Sequence, residues 1–362
     1  MKPIIAFEQI TFSAINYIAS VFILKLFDQV GYGYYSIAFA VSMVSLGVFN
    51  ALILEPATIM HSKGYEQSLR TLLSLRLVIL ALIIFGALFF NINVLFSICI
   101  CGLYLVKRIN YIKSEFRLSF VSNVVTALLV GSIGYTESVF FELSYDIFMK
   151  LYCISLSFSI IVSLLRDRGG IFPVYSDIKT LVKHSKHILL GSSIGAVSGQ
   201  AVPLFAHGNL VSLGQHRFTV LLFSPIVQIM TAYNTSILAK SSNLTKDKNY
   251  ILFSSSAFII IAFALYAADY IELLSISSKS LILVCIGSIF NVLAQYLTLK
   301  MKIKYDLVII GKLMALQPVS NLLVIAILYS FINDIDLIYL VSGLTNLSIV
   351  YFTNGFIIRS KK

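Results

Sequence analysis

Twelve apolar stretches divide this chain, each close to the twenty or so residues that carry a helix across a bilayer, and charge clusters separate them. They fall near 5–26, 34–57, 73–90, 92–106, 117–135 and 146–165, and, after a basic segment at 166–186, near 187–208, 217–238, 250–269, 279–299, 306–330 and 335–357. In 362 residues, such a series leaves no room for a folded soluble domain. With 58% hydrophobic and 12% charged residues, a water-soluble enzyme is excluded. The expected fold is an all-α polytopic membrane protein of about 12 transmembrane helices in two pseudo-repeated six-helix lobes around a central cavity. The lobes are 1–165 and 187–362, and 166–186 is a cytoplasmic linker.

Charge sets the orientation. The chain holds 27 Lys and Arg against 16 Asp and Glu, an excess that suggests nucleic acid in a soluble protein but in a polytopic one more often reports orientation. Counted over alternating loops with the N-terminus in the cytoplasm, 22 of the 27 basic residues lie on one side, while Lys25, Arg217 and Lys279 lie on the other and Lys150 and Lys312 fall within spans. Both termini are therefore expected in the cytoplasm, and basic residues scattered over separate short loops make no nucleic-acid surface. Cys99, Cys101, Cys153 and Cys285 all sit in apolar runs, where cysteine acts as a small buried hydrophobe, so no metal centre is expected. The first apolar stretch, with Glu8 inside it, is longer than a signal h-region and reads as a retained helix.

The two halves share a pattern. Gly31-Tyr32-Gly33-Tyr34-Tyr35-Ser36 lies between spans one and two, and Gly214-Gln215-His216-Arg217-Phe218-Thr219 lies between spans seven and eight, 183 residues later. Each sets a turn glycine ahead of an aromatic and a hydroxyl residue, as a parallel repeat of two six-span units requires.

The segment Lys25-Leu26-Phe27-Asp28-Gln29-Val30-Gly31-Tyr32-Gly33-Tyr34-Tyr35-Ser36-Ile37-Ala38, the pair Glu55-Pro56 ending span two, and Leu213-Gly214 followed by Phe218 resemble the polysaccharide-transporter branch of the multidrug/oligosaccharidyl-lipid/polysaccharide exporter superfamily, which includes the Wzx-type O-antigen flippases. This resemblance implies a flippase that moves undecaprenyl-diphosphate-linked oligosaccharide across the bacterial inner membrane by alternating access, without a cofactor. It also implies membrane lipids, a polysaccharide polymerase and a chain-length regulator as partners, and a role for Lys25 like that of the first-helix basic residues of the family.

Polar residues are costly in hydrocarbon and collect where helices face water or one another. At helical spacing, Gln9, Ser13, Asn16 and Ser20 form one stripe on span one, and Ser224, Gln228, Thr231 and Thr235 form another on span eight, with Arg217 continuing it. Span seven contributes Ser193, Gln200 and His207, and span ten contributes Ser288, Asn291, Gln295 and Thr298. These stripes are either the walls of a wet cavity or interhelical hydrogen-bond contacts. Arg217, Lys150, Lys312 and Lys25, with Asn16, Gln200, Gln228, Asn291 and Gln295, are the substrate-binding candidates. Lys25 stands about 160° around an ideal helix from Asn16 and so is alternatively an interfacial residue or a partner of Asp28. Glu8, Glu55 and His207 are the candidates for ion coupling, and pairing of the two glutamates with cytoplasmic lysines is the plainer alternative. Gly191, Gly195 and Gly199 make a small-residue ridge on span seven, and Pro203, Pro225 and Pro318 invite kinks in the second half.

Two other functions compete. A cation-coupled drug antiporter of the same superfamily fits the layout, although the deep lysines and arginine oppose cationic cargo. A membrane glycan polymerase fits the span count, but the longest external loop, about 134–146, carries no basic residue for chemistry. No catalytic residue is assigned, and without a GxxxxGK[ST] loop no nucleotide drives the process.

Overall fold

In hydrocarbon every backbone N–H and C=O must find a partner within the protein, and the described residues meet this with helices. A computed structural model describes residues 3–62, 66–140, 144–166, 179, 193–240, 247–270, 277–304 and 307–360. Side chains of Gln9, Gln228, Thr231, Thr235 and Lys312 lie outside the described set, as do Gly191 and nearly all of the 166–186 linker.

The first helix, α1 (Pro3–Phe49), is broken at Asp28, whose φ of 58° and ψ of −164° are not helical. The Asp28 carboxylate accepts the N–H groups of Val30 (2.7 Å) and Gly31 (3.3 Å), capping the segment that follows and making two crossings of one long helix. Gly31 is required by packing, since a Cβ there would lie 2.3 Å from Cβ of Phe27. The second crossing continues through a π turn, Asn50–Leu54, into α2 (Glu55–Ser62), so Glu55-Pro56 does not end it as expected from sequence. Pro56 has no N–H to offer the carbonyl four residues back, and the backbone N–H of Glu55 instead bonds Asn50 O.

There follow α3 (Glu66–Phe89), α4 (Ile92–Ile112), α5 (Phe116–Phe140) and α6 (Tyr145–Arg166). Asn91 caps α4 by accepting the N–H of Asn93, which separates α3 from α4. Two boundaries correct the sequence reading. The fourth span runs on to Ile112, placing Lys107 and Arg108 inside a helix, and α5 extends to Phe140, so most of the expected external loop at 134–146 is helical.

Span seven is interrupted. A helix at 193–199 (α7) meets a turn at Gln200, then α8 (Ala201–Phe205) and a short 3-10 turn, Ala206–Gly208. The chain continues through α9 (Leu210–Lys240), α10 (Asp247–Tyr270), α11 (Ser278–Lys304), α12 (Leu307–Phe331) and α13 (Ile335–Ser360). Asn209 caps α9 through Ser212 N, so Gly214 lies within a helix rather than at its turn. The two capping residues, Asp28 and Asn209, stand 181 residues apart, which moves the register of the repeat by two from the glycine pairing read in the sequence. Among the described residues the result is twelve helical segments in series, seven helices being apolar and long enough to span a bilayer.

Contacts divide the chain into two compact units, Lys2–Gln200 and Ala201–Lys362. In the first, α1 packs on α4 and α5, and α6 packs on α4 and α5. In the second, α11 sits against α9, α10 and α13, with α12 on α13. A Cβ on Gly343 would come within 2.7 Å of Gly287 O, so α11 and α13 meet nearly backbone to backbone. By contrast, among the described residues a Cβ at Gly195 or Gly199 would meet nothing within 4 Å, so the expected ridge makes no close approach to them there.

Candidate functional site

The densest polar cluster of the first unit centres on Glu8, whose side chain is fully buried. Its Oε1 accepts Ser119 Oγ (3.0 Å) and Asn123 Nδ2 (3.1 Å) from α5, and its Oε2 accepts the Tyr111 hydroxyl from α4. Lys107 Nζ lies 3.8 Å from Glu8 Oε1 and 3.8 Å from the centroid of the Phe12 ring, with the rings of Tyr104 and Tyr111 within 6 Å. These donors serve both carboxyl oxygens, and the lysine is held by the carboxyl group and the ring faces together.

Three arginines anchor further contacts in this unit. Arg76, in α3 and almost fully buried, donates from Nη1 to Ser163 O and Ser163 Oγ (both 2.6 Å) on α6 and from Nε to Leu73 O. Arg108 donates to Asn50 Oδ1 (3.1 Å) in the π turn and lies in the field of Glu55. Arg166 pairs with Glu115 at 3.0 Å.

Deeper in the unit, Asn16 accepts the Tyr152 hydroxyl at 2.9 Å, while Ser13 and Ser20 are buried. The stripe on α1 therefore turns toward its own unit, and Asn16 links α1 to α6. Beside it, an open groove of about 440 Å³ runs between α1 and α5, lined by Thr11, Ala14, Ile18, Val124, Ala127, Leu128, Gly131, Ser132 and Tyr135. Its walls are almost entirely apolar, with Ala and Gly leaving the room.

The second unit carries a different network. His216 Nδ1 lies 2.7 Å from Asp336 Oδ1, the Ser280 hydroxyl donates to Asp336 Oδ2, and the imidazole stands edge-on to Tyr339 at 5.2 Å. Nearby, Lys279 Nζ bonds Asp334 Oδ2, and Asp334 Oδ1 caps α13 through Leu337 N. Partial burial pushes the Asp334 carboxyl up, but these bonds outweigh it and hold the group below the ordinary carboxylate value. Asn346 joins Asn291 at 3.1 Å and Gln317 at 3.5 Å, tying α11, α12 and α13 together.

Of the residues singled out by sequence, Asn16 and Asn291 serve interhelical bonds. Gln295 is exposed, and Gln200 is half-buried in the turn after α7. His207 is exposed on the 3-10 turn with Nδ1 3.0 Å from Leu204 O, a local contact. Lys25 is exposed at the end of the first crossing, and among the described residues no ion pair joins it to Asp28. Glu55 is half-buried near Arg108. Arg217 and Lys150 are half-buried in the second turns of α9 and α6. Lys107, Tyr111, Arg76, His216 and Asp336 were missed. Lys107 was counted with a loop because span four was ended at 106, although Lys107/Tyr111 and Ser119/Asn123 each have the four-residue spacing of one helix face.

No protein-family model matches the sequence, and neither does any curated protein. Solved structures do match in fold. A MOP superfamily transporter from Pyrococcus furiosus, whose binding pocket is described as of reverse polarity and suggestive of a different function, aligns over 99% of this chain and 96% of its own, with TM-score 0.62 and 11% identity. An outward-facing multidrug resistance MATE family transporter aligns over 97% and 92% with TM-score 0.61 and 10% identity. A MATE protein in complex with MaD3S gives TM-score 0.60 at 11% identity over 98% and 95%. This all-helical chain has the fold of the MOP superfamily transporters.

Proposed function

We propose that the protein is a membrane transporter that moves a lipid-linked, diphosphate-bearing oligosaccharide, of the undecaprenyl type used for O-antigen or capsule, across the bacterial inner membrane by alternating access. The observation that carries this reading is Lys150. It is half-buried in α6, and among the described residues it makes no ion pair or hydrogen bond. Four acids already have side-chain partners, Glu8 in Lys107, Glu115 in Arg166, Asp334 in Lys279 and Asp336 in His216. A half-buried ammonium without a counter-ion suits an anionic headgroup. The apolar groove between α1 and α5 offers a surface on which a lipid tail can lie.

A cation-coupled drug antiporter is the competing reading, favoured by the MATE neighbours through fold alone. Against it stands Lys150, a half-buried cation that opposes cationic cargo. In a strain whose surface polysaccharide depends on this chain, Lys150→Ala is expected to reduce output at normal protein level and Lys150→Arg to restore most of it. If deleting the chain leaves surface polysaccharide intact and sensitises cells to cationic drugs, the antiporter reading replaces this one.

A further inference from the structure

At the other end of the α1–α5 pair from Glu8 sits a second buried carboxylate in the opposite condition. Glu137, in the last turn of α5, is 5% exposed, and its Oε1 has no hydrogen-bond partner. Three residues earlier α5 is in hard contact with α1, since a Cβ on Gly134 would fall 2.2 Å from the Phe22 ring. Glu137 follows Gly134 on the same face.

The charged and titratable groups at this end are Lys25, Asp28, Tyr34 and Tyr35 on α1, Tyr135 on α5, and Tyr145, Asp146 and Lys150 on α6; Glu142 lies outside the described residues. Among the described residues none is within ion-pair or hydrogen-bond distance of the Glu137 carboxyl. Asp28 is spent on its cap, and Lys25 and Asp146 are exposed.

Two effects act together on that carboxyl. Its Oε1 is out of water with no donor beside it, which disfavours the ionised form. The C-terminal end of α5 adds the negative pole of the helix dipole, which opposes a second negative charge. Glu8 has the reverse setting, in the first turns of α1 with donors on both oxygens and a lysine beside it.

We propose that Glu137 is a proton-binding site of this unit: its carboxyl holds a proton in the conformation seen here and exchanges it with water at the α5–α6 end when that end opens. One proton is taken from water onto the carboxylate and returned to water, with no electron transferred. The inference rests on the transporter reading, which makes an exchangeable proton useful for coupling, but its first test does not need the transported substrate.

Infrared difference spectroscopy of the purified full chain in lipid vesicles reads the proton directly. A protonated-carboxyl C=O band at neutral pH is expected, shifting in D2O, absent from Glu137→Gln and retained in Glu8→Gln. Because Gln mimics the neutral carboxyl, Glu137→Gln is also expected to keep the wild-type melting temperature. Absence of the band in the wild type, or its persistence in Glu137→Gln, overturns the proposal. For linkage to conformation, a cysteine-free chain with one cysteine at Tyr135 should label, relative to a free thiol with the same reagent at each pH, several-fold faster at one end of the pH range than the other, a difference lost with Glu137→Gln. A relative rate independent of pH in the Glu137 chain overturns the coupling role, and absence of polysaccharide transport with the infrared and labelling results both intact overturns only the assigned cargo.

Discussion

Lys107 Nζ stands 3.8 Å from Glu8 Oε1 while resting 3.8 Å above the Phe12 ring, so one cation is shared between a carboxylate and an aromatic face of the same helix. This joins α1 to α4, and the Ser119 and Asn123 donors bring in α5. Three helices of the first unit are fastened at one point.

Removing one partner leaves the other charge buried. Glu8→Ala is expected to destabilise the folded protein by about 3 kcal/mol, the usual cost of a stranded buried charge. The double variant Glu8→Gln/Lys107→Met should recover a large part of that loss. Thermal unfolding in detergent of the two singles and the double checks it, and equal losses in all three would remove the pair from the account.

Backbone contact is the second test. Gly343→Ala places a Cβ 2.7 Å from Gly287 O, and neither backbone can move aside without parting α11 from α13. A loss of about 1–3 kcal/mol is expected, as for other overpacked interiors. Gly199→Ala, in open space, should be close to neutral and serves as the control.

Much of this was legible beforehand because lipid enforces it. The positions of twelve apolar segments follow from the run lengths, and the break between the first two is visible in Asp28 and Gly31. What composition does not carry is which polar atoms meet. Glu8 and Asn123 are far apart in sequence, and nothing local in either announces the other. Gly214, expected at a turn, lies five residues past the Asn209 cap, because a glycine inside a helix and a glycine at a turn look alike in one sequence. Lys107 and Arg108 were taken for loop residues because charge was used to end a span, and helices ending at the membrane surface carry charge into their last turns.

Acid should loosen one end of the second unit. The Asp334 carboxyl is held below its ordinary value in the folded state, so the stability it contributes is present above the unfolded value of about 4 and is lost as pH falls through the depressed folded value. Hydrogen exchange at the start of α13 should rise as pH is lowered through that window after correction for intrinsic rates. Asp334→Asn should show the higher exchange at all pH values and lose the dependence, and added salt should weaken the effect, since Lys279 is largely exposed.

The orientation expected from charge is open to direct labelling. In a cysteine-free background, a cysteine at Ser138, near the end of α5, should react from outside intact spheroplasts, and one at Ser176 only after permeabilisation. Reaction at Ser176 in intact cells would reverse the topology.

The most direct measurement is translocation in vesicles holding only this protein and an undecaprenyl-diphosphate-linked oligosaccharide. Lipid-linked sugar placed on one leaflet should become accessible to an enclosed glycosidase on the other, at a rate that rises with protein content and falls several-fold for Lys150→Ala. Vesicles in which the sugar stays on its original leaflet, while a cationic dye is exchanged for protons, would contradict the account.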